Sequence, residues 1–133
     1  HMAFMAKEEL FEIPVLGWMM RREKAICVRR GAADRQAIRA ALSALKEGRI
    51  LGIFPEGTRN KTGELRNFQP GMTMLSVKSG SPVLPLWLDW NRSGKLKVLM
   101  GTLMYPPSSE SSREEQENFT NDVREAILAL SRQ

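Results

Sequence analysis

Residues 50–60 read Ile-Leu-Gly-Ile-Phe-Pro-Glu-Gly-Thr-Arg-Asn, a short apolar run broken by a turn that carries one carboxylate and one guanidinium. Apolar β-formers stop at Pro55, which cannot extend a central strand, and Gly57 takes a positive φ at no steric cost. Backbone amides and Arg59 then converge just past the C-terminal end of a strand, the rim at which open α/β sheets bind ligands. A planar guanidinium grips phosphate through two parallel hydrogen bonds, so these residues point to an anionic, phosphorylated ligand. The competing reading is a surface turn in which Glu56 and Arg59 only pair with each other, an arrangement that contributes roughly 0–1 kcal/mol.

The rest of the inventory narrows the chemistry. The one histidine, His1, belongs with Met2 to what reads as a cloning remnant or a start, which leaves the body of the chain without an imidazole. Ser-His-Asp and Cys-His arrangements need one, and general-base work on an alcohol near neutral pH most often uses one. A single cysteine, Cys27, forms neither an internal disulfide nor a Cys/His metal site, and it suits a reducing compartment. It lies inside a strand pattern, where a thiol is inert packing. Any base serving the phosphate-binding turn is not among these residues.

The elements that must position the turn follow from periodicity. At 133 residues the chain is read as one α/β domain over residues 3–133. Residues 3–7 suit a short strand, residues 8–13 a turn, and a helix runs from Pro14, since proline is tolerated in a first helical turn. Residues 25–29 read as a strand. Asp34 then caps a helix with Ile38, Ala41, Leu42 and Leu45 at helical spacing and Gly48 as terminator. Residues 50–54 form the next strand, so strand, helix and strand imply a right-handed crossover between parallel strands, with Arg30 and Arg59 leaving from one edge of the sheet. A helix from about Met72 to Ser79 ends at Gly80. Residues 83–90 read as a strand containing Pro85, turned by residues 91–94 into a hairpin partner within residues 95–104. Residues 108–112 link to a last helix over residues 113–131, opened by a capping box of Ser112 and Glu115 and burying Phe119, Val123, Ile127 and Leu130.

Laid out in order, Arg30, the Phe54-Pro55-Glu56-Gly57-Thr58-Arg59 run and Val83-Leu84-Pro85-Leu86 resemble the conserved blocks of the glycerolipid acyltransferases, especially the bacterial 1-acylglycerol-3-phosphate acyltransferases. The Phe-Pro-Glu-Gly-Thr-Arg block matches without a substitution. Residues 26–31 look like the family's second block, with Arg29 where many relatives have Asp, and residues 5–10 look like the stretch before it. The resemblance covers roughly residues 4–105. The family's first block, a His followed by Asp five positions on, is absent; five positions after His1 stands Ala6. The chain therefore looks like the C-terminal part of such an enzyme, an N-terminally truncated version expected to be inactive by itself.

The resemblance implies a mostly parallel sheet flanked by helices, as in glycerol-3-phosphate acyltransferase. It implies acyl transfer from acyl-CoA or acyl carrier protein to the free hydroxyl of lysophosphatidic acid, with no cofactor beyond that acyl co-substrate and no metal. The phosphate would be held by Lys7, Arg30 and Arg59 together with Glu56, Gly57 and Thr58, with the catalytic His and Asp upstream. It further implies a peripheral position on the cytoplasmic side of the cell membrane. The alternative is a non-catalytic module that binds phosphate or anionic lipid.

Charge agrees with an anionic partner. Residues 1–109 hold 17 Lys/Arg against 9 Asp/Glu, whereas residues 110–133 hold 3 against 6. Nucleic acid is disfavoured, because the chain has no helix-turn-helix, zinc motif or RNA-recognition aromatic pair. The longest nearly apolar stretch, residues 13–20, is far short of the about twenty residues that span a bilayer. Trp18, Met19 and Met20 followed by Arg21, Arg22 and Lys24 form an apolar-then-basic patch suited either to core packing with a solvated tail or to a lipid surface. Arg29 adds positive charge beside the proposed site or is simply solvated, and an exposed sheet edge predicts self-association.

Overall fold

Three parallel strands frame the N-terminal part of the computed structural model, which describes residues 2–29, 34–57, 65–90 and 94–133. Strand β1 (Met2–Lys7) lies between β2 (Ile26–Val28) and β3 (Ile50–Gly52). Its two halves serve different neighbours: Met2, Ala3 and Phe4 stand opposite Ile50, Leu51 and Gly52, while Met5, Ala6 and Lys7 stand opposite Ile26, Cys27 and Val28. Ala3 and Ala6, an odd number of residues apart, point to opposite faces of the sheet and are both buried. All three strands run the same way: Lys7 and Val28 end level with each other, whereas β3 ends at Gly52, opposite Phe4 and three residues short of that rim.

Between β1 and β2 the backbone forms α1 (Glu8–Glu12) and α2 (Pro14–Arg22), with Pro14 at the start of the second helix as its missing N–H requires. Residues 8–13, expected as a turn, are helical for one turn because Glu8 and Glu9 complement the positive helix start. The two helices pack so closely that a Cβ built on Gly17 would overlap the Phe11 carbonyl oxygen and lie 2.7 Å from its carbon.

Helix α3 (Arg35–Lys46) connects β2 to β3 and packs against all three strands. Its N-cap is Asp34, and Gly48 follows it at φ 75°. The buried face is Ala37, Ala41 and Ala44, whereas Ile38, Leu42 and Leu45 are only half-buried. Small side chains let the helix axis approach the sheet, so the alanine stripe wins over the larger apolar stripe beside it.

The chain divides into two compact units, residues 1–53 and 54–133. In the second, α4 (Gly71–Ser79) ends at Gly80 in the left-handed conformation and is buried on most sides, including Thr73 and Ser76. Those hydroxyls are satisfied: Thr73 shares a 2.5 Å hydrogen bond with Thr120, and Ser76 donates to the Ser81 carbonyl at 2.6 Å. Strand β4 (Leu86–Trp90) pairs antiparallel with β5 (Leu96–Met100), the expected hairpin. The strand is shorter than residues 83–90 because Pro85 has no N–H to give; Val83 makes an isolated bridge to Met104, and the Pro85 carbonyl accepts from Gly101 at 2.9 Å.

Helix α5 (Arg113–Ser131) starts at the predicted capping box. Ser112 Oγ accepts from the Glu115 amide at 3.2 Å and Glu115 Oε2 from the Ser112 amide at 2.6 Å. Phe119, Val123, Ile127 and Leu130 are its buried residues, as their spacing predicts. The architecture is α/β, with a parallel three-stranded sheet flanked by helices.

Candidate functional site

In the first unit the rim where the parallel strands end carries Lys7, the last residue of β1, half-buried and immediately before α1. Opposite it in register is Val28, and the next residue, Arg29, turns its guanidinium onto α1: Nε lies 3.1 Å from Glu8 Oε1. Both side chains are well exposed, so the pair adds little to stability. Its effect is positional. Arg29 is neither an unshared positive charge nor a freely solvated one, because Glu8 holds it and offsets its charge at the rim.

Asp34 closes the loop that leaves this rim. One carboxylate oxygen accepts from the Arg29 amide at 3.0 Å; the other accepts from the Gln36 and Ala37 amides at 3.1 Å each. One side chain thus caps α3 and ties the end of β2 to its start. These amide donors, Arg29's foremost, hold the Asp34 carboxyl below the usual carboxylate range. Cys27, in β2 beside the rim, has its thiol pushed up, first by desolvation and then by the Glu8 carboxylate. It is therefore protonated at neutral pH and a weak nucleophile, in keeping with a packing role.

In the second unit the Phe54–Gly57 turn is built as its residue types require. Gly57 sits at φ 68°, and its amide donates to the Phe54 carbonyl at 3.1 Å. The Gln69 amide donates to the Pro55 carbonyl at 2.8 Å, and a Cβ on Gly57 would stand 3.1 Å from Gln69 Cγ. Glycine is thus demanded twice, by backbone conformation and by space. Further on, Arg124 of α5 donates to the Leu65 carbonyl at 3.1 Å and the Arg66 carbonyl at 3.4 Å. Both described stretches flanking residues 58–64 are therefore anchored.

Of the residues singled out in the sequence, Lys7 lies on the rim of the first unit and Glu56 and Gly57 in the turn of the second. Arg30, Thr58 and Arg59 lie outside the described residues. Sequence reasoning missed Glu8 as the partner of Arg29 and the second role of Asp34. The first contact joins residues 21 apart and has no local signature; in the second Asp34 reaches the Arg29 amide five residues back, outside the short-range patterns of such side chains, and only its capping of α3 was signalled in the sequence.

Known proteins resemble this chain along most of its length. A 1-acyl-sn-glycerol-3-phosphate acyltransferase of Borreliella burgdorferi is 32% identical over 136 residues, covering 93% of this chain and 54% of that protein. Another of the same description, from Pseudomonas aeruginosa, is 34% identical over 112 residues, covering 74% of this chain and 44% of that protein. The crystal structure of the 1-acyl-sn-glycerophosphate (LPA) acyltransferase PlsC from Thermotoga maritima superposes with a TM-score of 0.74 at 30% identity, over 98% of this chain and 56% of that one. The chain spans about half the length of the curated relatives it matches. The Acyltransferase family model matches residues 1–89, a span that takes in β1 to β3, the Phe54–Gly57 turn and most of β4, and the chain belongs to that family.

Proposed function

We propose that this chain forms the phosphate-binding half of an acyltransferase that moves an acyl group from acyl-CoA or acyl carrier protein to the free hydroxyl of 1-acylglycerol 3-phosphate, giving phosphatidic acid. The observation that carries the reading is the Phe54–Gly57 turn: an unaltered Phe-Pro-Glu-Gly-Thr-Arg run whose glycine adopts the left-handed conformation at φ 68°. Relatives and a structural neighbour whose names carry this activity support it.

In this reading Arg59, with Lys7 and Arg30, neutralises the phosphomonoester dianion, Thr58 adds a donor, and Gly57 shapes the turn, its own amide being engaged by the Phe54 carbonyl. Glu56 orders the turn. The reaction needs a base to take the proton as the acceptor oxygen attacks the thioester carbonyl and the thiolate departs. The family's His-x4-Asp pair would supply it, and these 133 residues contain no such pair. No cofactor beyond the acyl donor enters the scheme, and the protein works peripherally on the cytoplasmic side of a membrane. Among the described residues no helix is long and apolar enough to cross one.

Titration with glycerol 3-phosphate tests the site. Arg59→Ala is expected to weaken binding about ten- to hundredfold, the loss of charge-assisted hydrogen bonds worth about 1.5–3 kcal/mol. Arg92→Ala, between β4 and β5 in sequence, should change it little. Equal losses at the two positions would refute the site. Steady acyl transfer by the 133 residues alone would refute the assignment of the base to residues outside them.

A further inference from the structure

Helix α2 turns an apolar stripe outward. Val15, Trp18 and Met19 recur at i, i+3 and i+4 on one face and are 80%, 59% and 46% exposed. Arg22 extends the same face one turn on, its guanidinium 5.4 Å from the centre of the Trp18 ring. Lys24, exposed, flanks that end, as does Arg21, whose Nη1 also donates to the Phe11 carbonyl at 3.2 Å. The other side of the helix is occupied, with Gly17 buried against Phe11. Ile13, just before the helix, is 48% exposed as well.

We propose that this face docks on the headgroup layer of an anionic bilayer, with Val15, Trp18 and Met19 reaching the acyl boundary and Arg21, Arg22 and Lys24 pairing with lipid phosphates. The chemistry fits: an indole has an apolar body and a polar edge, and arginine stems lie along apolar surface while their heads seek phosphate. Charge complementarity selects the occupant. Residues 13–24 carry three cations against Glu23, on a chain whose residues 1–109 hold 17 Lys/Arg against 9 Asp/Glu. The acids of α1 are placed differently: Glu8 is engaged with Arg29, and Glu12 precedes the far, N-terminal end of α2. A second protein copy is the poorer occupant. A nine-residue helix is about 13 Å long and offers much less than the roughly 800 Å² a side of a stable protein interface. The inference rests on the reading above, in which the substrate is a membrane lipid.

The test uses the 133-residue chain with vesicles of phosphatidylcholine alone and of phosphatidylcholine mixed equally with phosphatidylglycerol. Sedimentation should show strong preference for the anionic vesicles. In a Trp87→Phe/Trp90→Phe background, Trp18 emission should shift blue on binding and be quenched by brominated acyl chains. Val15→Ser/Trp18→Ser/Met19→Ser, at exposed positions and folded by circular dichroism, should lower partitioning about tenfold or more. Arg21→Gln/Arg22→Gln/Lys24→Gln should abolish the anionic preference. The proposal is overturned if the wild-type chain ignores vesicles, if the triple serine variant partitions unchanged, or if the stripe proves to hold a dimer in light scattering. Glycerol 3-phosphate binding without vesicles separates the two readings: retained with vesicle binding lost, only the lipid face is wrong; lost while stripe-dependent vesicle binding persists, only the phosphate site is.

Discussion

Replacing Gly57 by alanine should destabilise the chain, whereas the same change at Gly71 should stabilise it, and the contrast isolates what the Phe54–Gly57 turn requires. Gly57 sits at φ 68°, a conformation that costs an L-residue with a Cβ about 1–2 kcal/mol. The new Cβ would also stand 3.1 Å from Gln69 Cγ, whose amide is tied to Pro55, so relief by sliding the partner is limited. Gly71 opens α4 without a positive φ and has no atom within 4 Å of a built Cβ. Alanine there restricts the unfolded chain at no native cost, worth about 0.4–1 kcal/mol. Both glycines belong to the second unit, so the comparison holds even if the units melt separately. The two variants should differ by about 1.5–3 kcal/mol in urea titration. Near roughly 4 °C per kcal/mol for a chain of this size, Gly57→Ala melts about 4–8 °C below wild type and Gly71→Ala a few degrees above it. Gly57→Asn should recover part of the loss, since asparagine tolerates the left-handed region. A Gly57→Ala protein as stable as wild type would show that the turn does not depend on its glycine and would remove the main structural support for the phosphate site.

Two further outcomes follow. Gly17→Ala should cost about 3 kcal/mol or more, because its Cβ meets the Phe11 backbone carbonyl and a fixed backbone cannot yield as a side chain does; a melt unchanged from wild type would refute the close α1–α2 contact. Asp34 and Glu115 both have carboxyl groups held below the usual range, chiefly by the backbone amides of Arg29 and Ser112. A depressed folded-state pKa gives stability that is present above the unfolded value near ~4 and lost as pH falls through the folded one. Asp34→Asn with Glu115→Gln should therefore flatten the acid limb of the stability profile below about pH 4.5, and an unchanged slope would refute the caps as its source.

What was legible in the sequence was local. Ser112 and Glu115 announce their capping box at a spacing of three, and Pro55 with Gly57 announces a turn, because these residues act on backbone atoms within a few positions of themselves. Gly48 and Gly80 marked helix ends for the same reason. What was hidden is set by distant neighbours. Helical spacing offered two adjacent stripes on α3, and only nearness to the sheet selects Ala37, Ala41 and Ala44 over Ile38, Leu42 and Leu45. The place of β1 between β2 and β3 depends on pairings some 20 and 50 residues apart in the chain, which no pattern inside a six-residue strand encodes. The Glu8–Arg29 pair is of that kind too. So is the outward stripe of α2, whose residue types suited core packing until burial was known.

The direction of β1 has a practical corollary for anyone attaching reporters. Met2 and Lys7 are the two ends of one extended six-residue strand, about 16 Å apart at 3.3 Å per step. A small reporter carried by the Met2 side chain would therefore sit at the opposite end of that strand from Lys7 and Arg29, out of contact with those cations. Titrations with labelled protein can accordingly be compared directly with those on unlabelled material.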